Sequence, residues 1–214
     1  MLTISMTTFN RSAYLKECLG SFLQSVFVDP TRLVITDDYS TDDVTLKFLN
    51  DFSQIKVPNL EIIVRYRENN LGVDRSVLES IQYCFDAFVE DWVLVQDSDA
   101  IFNKMWLAVL KSLMSAIEFP LYALTLWKHP NDVIGEHKGL DRLPMVNGLN
   151  LLINRNIFKL LDYKSGFWDA AFSKLCWNRD FPIFRTRVSF VKHIGLVGCN
   201  NIFWGESNLD FAEQ

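Results

Sequence analysis

The chain is sparing with glycine, proline and cysteine: 9, 6 and 4 among 214 residues. Collagen-like repeats and low-complexity disorder need far more glycine and proline than this. With 49% hydrophobic and 14% aromatic residues, the chain holds too much apolar matter to stay unfolded. Four cysteines, none in a C-x-x-C pair, exclude a disulfide scaffold. Cys18, Cys84, Cys176 and Cys199 are expected to be reduced, mostly buried thiols. Met1 leads straight into an apolar, strand-like run. That start carries no signal peptide, so a cytoplasmic protein is expected. Positive charge is also short, at 21 Lys and Arg against 26 Asp and Glu, a net −5. No basic stripe is present, which sets nucleic acid aside as a partner. An acidic protein still accepts a phosphorylated small molecule where a metal or a few arginines neutralise it locally. Long apolar runs are missing too. The longest, 105–127, is broken by Lys111, Glu118 and Pro120, too interrupted for a membrane-spanning helix. It reads instead as a helix followed by a buried strand.

What is present is length enough for one large domain and two alternating periodicities. Strand-like runs occupy 2–6, 33–36, Leu60–Tyr66, 92–95 and 121–126. Between them, apolar residues recur at helical spacing over 12–26, 44–52, 73–88 and 105–117. This alternation predicts an α/β domain. A mostly parallel central sheet of about six strands, flanked by helices, is expected. Continuous apolar strands suit a sheet covered on both faces. The last third breaks the rhythm. A long polar loop is expected over 128–144 and strands over 146–153 and 186–191, with helices over 156–161 and 169–177. The polar run 205–214 reads as a tail or a linker into a longer polypeptide.

In open α/β sheets, ligands bind outside the carboxyl ends of the strands. Three polar clusters follow strand ends here: Thr7-Thr8-Phe9-Asn10-Arg11, Asp37-Asp38-Tyr39-Ser40 and Asp97-Ser98-Asp99. All three are expected on one edge. Asp97 and Asp99 suit a hard cation such as Mg²⁺ or Mn²⁺, which keeps positions open for substrate phosphates. The same three residues also suit a helix cap or a turn. Asp37-Asp38 with Ser40 and Asp42 serves equally as a turn with a helix cap, or as an acceptor for a nucleobase imide or ribose hydroxyls. Phe9 suits base stacking, and Arg11 suits pairing with phosphate. Arg75, at the start of a helix after Gly72, is placed to reach a diphosphate; a solvated surface arginine is the plainer reading.

Taken together, T-T-F-N-R, D-D-Y-S-T-D, N-N-L-G-x-x-R and D-S-D resemble the GT-A glycosyltransferases, family 2-like members above all. The likeness is strong over 3–103 and weaker over 145–196. It implies a single glycosyltransferase domain over 1–214. Residues 1–103 would form the nucleotide-sugar-binding half and 104–214 the acceptor-binding half. It implies UDP-sugar as donor, Mn²⁺ or Mg²⁺ as cofactor, and a glycan or glycoprotein acceptor. By position, Thr8 and Phe9 would lie near the base and Asp38 would accept from the uracil imide. Asp97 and Ser98 would approach the ribose or metal, and Asp99 would hold the metal. Arg75 would match an arginine of the family, although the asparagine that usually follows is Ser76 here. His193 resembles a late histidine that completes metal coordination in some members. The family's acceptor-side E-D pair has only Trp168-Asp169 as its counterpart. Asp169 is the candidate base, with Glu206 and Asp210 as rivals and a helix cap as the plainer role.

Such a site would transfer a hexose or deoxyhexose, with metal and Arg75 or Arg11 offsetting charge on the departing diphosphate. A base implies inversion; without one, retention stays open. Trp127, Trp168, Trp177 and Trp204 are each candidates for stacking on a sugar or for the core. No glycine lies in 6–12. That disfavours a sugar-1-phosphate nucleotidyltransferase, which needs a Gly-rich basic loop there, and a dinucleotide fold with G-x-G-x-x-G. A nucleotide-sugar-binding domain without turnover is the non-enzyme alternative.

Overall fold

The structure is a computed structural model that describes residues 1–130 and 132–195. Cys199, Trp204, Glu206 and Asp210 lie outside the described residues. In chain order the elements are β1 (Leu2–Thr8), α1 (Ser12–Phe22), β2 (Thr31–Asp37), α2 (Asp43–Ser53), β3 (Leu60–Tyr66), α3 (Val73–Ala87), β4 (Trp92–Asp97) and β5 (Ala100–Phe102). There follow α4 (Trp106–Ala116), β6 (Ala123–Thr125), β7 (Gly135–His137), β8 (Leu140–Leu143), β9 (Leu151–Asn154), α5 (Arg155–Phe158), α6 (Trp168–Asn178), β10 (Ile183–Arg185) and β11 (Val191–His193).

Side chains alternate across each strand, and the apolar residues divide accordingly. Ile4, Met6, Leu33, Ile35, Leu94 and Leu152 pack with α1, α2 and α4 through Leu19, Phe22, Leu49, Trp106 and Leu110. Val34, Val93, Val95, Leu151 and Ile153 pack with α3, α5 and α6 through Val77, Ile81, Ile157, Phe172 and Cys176. Two cores sandwich one sheet, which is why the strands read as unbroken apolar runs. Helix starts follow local chemistry. Asp42 caps α2 by accepting from the Thr45 N–H at 2.7 Å. Gly72, at φ 76°, turns the chain into α3 in a conformation that favours glycine.

The sheet is larger than expected and mixed. Nine strands run in the order β3-β2-β1-β4-β9-β6-β10-β8-β7. β1 to β4 are mutually parallel, β9 runs antiparallel between β4 and β6, and β10 is parallel to β6. The extra strands are three or four residues long, too short to show a period of two. The polar loop expected over 128–144 contains the hairpin β7–β8. Its two-residue turn, Lys138-Gly139, has φ 50° and 82°, matching the twist of the paired strands. The strand expected over 186–191 is instead β10 before it and β11 after it. β11 leaves the main sheet and pairs with β5.

Registry fixes what shares an edge. Thr8 aligns with Asp37, Thr7 with Asp97, and Asp37 with Tyr66. The three polar clusters therefore emerge side by side at the carboxyl ends of β1, β2 and β4.

Candidate active site

The acid cluster sits where β4 ends. After Asp97 the chain bends at Ser98 and Asp99 and re-enters as the short strand β5. Two ties fix this bend. The Gln96 side-chain amide donates to the Asp97 carbonyl at 3.0 Å. Its own oxygen accepts from buried Asn150 Nδ2 at 2.9 Å, linking β4 to the entrance of β9. Pairing of β5 with β11 brings His193 opposite Ala100, and the Ile194 N–H donates to the Asp99 carbonyl at 2.9 Å.

Asp99 is buried between a guanidinium and an imidazole. Arg11 Nη2 stands 2.9 Å from its Oδ2 and His193 Nε2 stands 3.4 Å from its Oδ1. Burial alone would raise the Asp99 carboxyl; His193 and Arg11 together hold it below the usual range. Burial alone would lower His193; Asp99, with Asp97 behind it, raises it above an ordinary imidazole. Asp97 is pushed well above the usual carboxylate range, first by burial and then by the charge of Asp99. Asp97 and Asp99 thus behave as two acids sharing a site, with the charge concentrated on Asp99.

Asp38 is 3% exposed. Its carboxylate accepts from the Leu71 N–H at 3.1 Å and the Gly72 N–H at 3.1 Å, tying the loop before α3 to β2. Arg67 Nε stands 3.4 Å from Asp38 Oδ1. Arg67 also reaches Glu79 at 2.8 Å and the Ser76 carbonyl at 3.1 Å. Neighbouring Asp37 turns inward and accepts from Ser40 through both its N–H and its hydroxyl, at 2.9 and 2.5 Å. Asn10 joins the β1 and β2 ends. Its N–H donates to Ser40 Oγ at 2.7 Å and its side-chain oxygen accepts from the Thr41 N–H at 2.9 Å. Thr8 is buried beside them, and Phe9 is 38% exposed.

Asp169 stands in the first turn of α6, where the helix dipole favours an acid. Its Oδ2 accepts from the Gly148 N–H at 3.1 Å and its Oδ1 from the Ala170 N–H at 2.8 Å. Burial raises its carboxyl despite those two donors. Its charge is felt at Asp97. The helix start is held from outside: Asp74 of α3 accepts the Trp168 N–H at 2.7 Å. Gly148 packs against the Trp168 indole so closely that a Cβ would lie 2.5 Å from Cζ2.

Arg75 is not brought into this cluster. Its side chain is 70% exposed and pairs with Glu79 at 3.8 Å on the solvent face of α3. Arg67, for which no role was expected, stands beside Asp38. Trp127 and Trp168 are buried; Trp127 lies beside the rings of His129 and His193. Trp177 is exposed, but it lines a groove of about 520 Å³ with Arg142, Phe181 and Ile183. Ile183 is level with Ala123, Ile153 and Val93 across the sheet, four residues from the Asp97 end. That groove is therefore remote from the acids.

The residues match a cation completed by substrate better than a ready-made cage. Among the described residues no three acid, histidine or cysteine side chains converge as a metal cluster. Among the described residues none donates a hydrogen bond of good geometry to buried Asp99 Oδ1. One carboxylate with an imidazole beside it suits an ion that takes its remaining ligands from phosphates.

The sequence matches the model of glycosyl transferase family 2 over residues 3–177. The chain belongs to that family. Among curated proteins no relative matches. Solved structures share the fold of this family 2 chain. S. aureus TarS aligns with TM-score 0.65 and 19% identity, over 91% of this chain and 37% of that one. TarS 1–349 in complex with UDP-GlcNAc gives TM-score 0.65 and 18% identity, over 89% and 57%. The mannosyltransferase PcManGT from Pyrobaculum calidifontis, in complex with GDP-Man and Mn²⁺, gives 0.60 and 15%, over 87% and 56%. The family 2 chain thus spans well under two thirds of each of these structures. Among the described residues no helix is long and apolar enough to cross a membrane.

Proposed function

We propose that this family 2 glycosyltransferase moves a hexose or deoxyhexose from a UDP-sugar to a hydroxyl of a glycan or glycoprotein, with inversion and with Mn²⁺ or Mg²⁺. The observation that carries the reading is the meeting of three strand ends on one edge, where Asp38, Asp97, Asp99, Arg11 and His193 gather and the charge of Asp169 reaches Asp97. The complexes of TarS with UDP-GlcNAc and of PcManGT with GDP-Man and Mn²⁺ support a nucleotide-sugar donor.

In this reading residues 1–103 receive the nucleotide and 104–214 the acceptor. Thr8 and Phe9 flank the base. A carboxylate has about four acceptor sites, so Asp38 can take the uracil imide N–H beside its two backbone donors. Ser98 and Asp97 face the ribose. Asp99 and His193, with Asp97 behind, hold the cation, which when bound offers positive charge to the departing diphosphate. Arg11 adds a guanidinium to the same diphosphate; Arg75 would reach it only by leaving Glu79. The acceptor oxygen attacks the anomeric carbon as the bond from that carbon to the diphosphate oxygen breaks. UDP departs with the electron pair, and Asp169 receives the hydroxyl proton. Each Asp169 oxygen keeps a lone pair beyond its backbone bond, and its raised affinity for protons suits a base.

Calorimetric titration of UDP, GDP and CMP, each with and without Mn²⁺, tests the donor site. UDP alone should bind, and only with metal; Asp99→Ala should abolish that binding. Failure of every nucleotide to bind refutes the reading. A second reading, nucleotide-sugar binding without turnover, draws on the weaker likeness after residue 145, where the family's acceptor-side E-D pair is Trp168-Asp169. Sugar release from a bound UDP-sugar would exclude it.

A further inference from the structure

Arg11, partly exposed, is fastened unlike Arg155 and Arg185. Arg155 donates to three backbone carbonyls, of Phe85, Phe88 and Glu90. Arg185 donates to the His129 carbonyl and to Asp141. Arg11 lies over the Tyr14 ring at 4.6 Å and meets Asp99 Oδ2 at 2.9 Å. Yet among the described residues its Nε and Nη2 are buried without a hydrogen bond of good geometry. Its charge pairing with Asp99 is the main tie that holds it there. The backbone aims it deliberately: Asn10 and Arg11 both lie in the left-handed region, at φ 53° and 61°, which non-glycine residues rarely adopt. On the other side Gly195 closes over the pair; a Cβ there would overlap Asp99 Oδ2 and lie 2.9 Å from Arg11 Nη2.

The position Arg11 fills is one a divalent cation needs. Asp99 offers two oxygens, and Arg11 covers one while His193 faces the other. A cation and a guanidinium repel on the same carboxylate. We propose that Arg11 is the resident counter-cation of the unloaded acid cluster and is exchanged on donor binding: the metal takes Asp99, and the diphosphate takes Arg11. The proposal rests on the nucleotide–metal site described above. It adds that metal and nucleotide bind as a coupled pair because one arginine links them. Coupling of this kind is reciprocal, and each ligand tightens the other by the same factor.

The test uses the full chain, with Mn²⁺ alone followed by electron paramagnetic resonance and UDP at saturating Mn²⁺ followed by calorimetry. In Arg11→Gln, Mn²⁺ alone should bind about tenfold tighter than in wild type, while UDP binds about tenfold weaker. Those opposite signs are the signature, since a merely damaged site weakens both. Arg11→Lys keeps the charge and should leave binding of Mn²⁺ alone near wild type. A second readout needs no loss of Arg11: its guanidinium NMR resonance, assigned by its disappearance in Arg11→Lys, should shift on addition of Mg²⁺ with UDP. Unchanged or weaker binding of Mn²⁺ alone in Arg11→Gln overturns the exchange, as does an unmoved resonance. Wild type that binds Mn²⁺–UDP alongside such a result leaves the proposed function standing. Wild type that binds neither refutes both.

Discussion

Gly148→Ala probes how Asp169, the proposed base, is positioned. The added Cβ would lie 2.5 Å from Trp168 Cζ2, 3.1 Å from Cε2 and 3.3 Å from Nε1. Trp168 cannot easily swing away, because it is buried in the core beneath α6. Overpacking of this kind costs about 1–3 kcal/mol. Against it stands the gain from a stiffer unfolded chain, about 0.4–1 kcal/mol for Gly→Ala at an ordinary backbone conformation. A net loss of about 1–2 kcal/mol follows. For a chain of this size that lowers Tm by about 2–8 °C. The displaced indole also moves the first turn of α6, and with it the Gly148 N–H bond to Asp169. Transfer should fall by about 10²-fold, the cost of a misplaced reacting group, while Mn²⁺–UDP binding holds. Thermal unfolding and transfer assays read the two effects. A double-mutant cycle with Trp168→Ala isolates the contact: that change should cost less in Gly148→Ala than in wild type, because the clash has gone. An unchanged Tm, or fully additive losses, would refute the packing argument.

Arg67→Ala should lower stability by about 1–3 kcal/mol in urea titrations, since it strips a cation from buried Asp38 and frees the Ser76 carbonyl. UDP binding should weaken with it, and an unmoved urea midpoint would contradict the role. Asp169, raised mainly by burial, binds its proton more readily in the fold than a free aspartate does. The transfer rate should therefore fall as pH drops through a midpoint above about 3.9. If the same acid limb persists in Asp169→Asn, whatever its residual rate, the titrating group lies elsewhere.

The first four strands and their helices were legible because each is long enough to display its period. The edge shared by Thr8, Asp38 and Asp97 followed from the parallel direction expected of those strands. The short strands of the last third carry too few residues for a period, and the Lys138-Gly139 turn that marks one hairpin lay inside a polar stretch. Arg67 was missed although the rule that found the other clusters covers it, for it stands one residue past the end of β3. Arg75 could have been set aside from periodicity: α3 buries positions 76, 77, 80, 81, 84 and 85, which leaves 75 and 79 on the outer stripe. Gln96 and Asn150 form no motif. Their signal was a lone amide inside an apolar run, which in a core implies a partner. The contact of Arg11 with Asp99 depends on two left-handed residues, and nothing in N-R announces that conformation.

The reversed direction of β9 divides the molecule's capacity for change. Because β9 runs against β4 and β6, its leading residues, not its trailing ones, reach the acid edge. Asn150 and the segment ahead of it therefore share that edge with the chain leaving β6 and β10. The segment after Asn154 turns the other way, beneath the sheet and into α5. Insertions or exchanges over 127–130 and 186–190, which lie outside every strand, would reshape what approaches the acids without disturbing strand registry. If the proposed function holds, those two segments are where acceptor choice can change while the paired strands β1 to β4 keep their register.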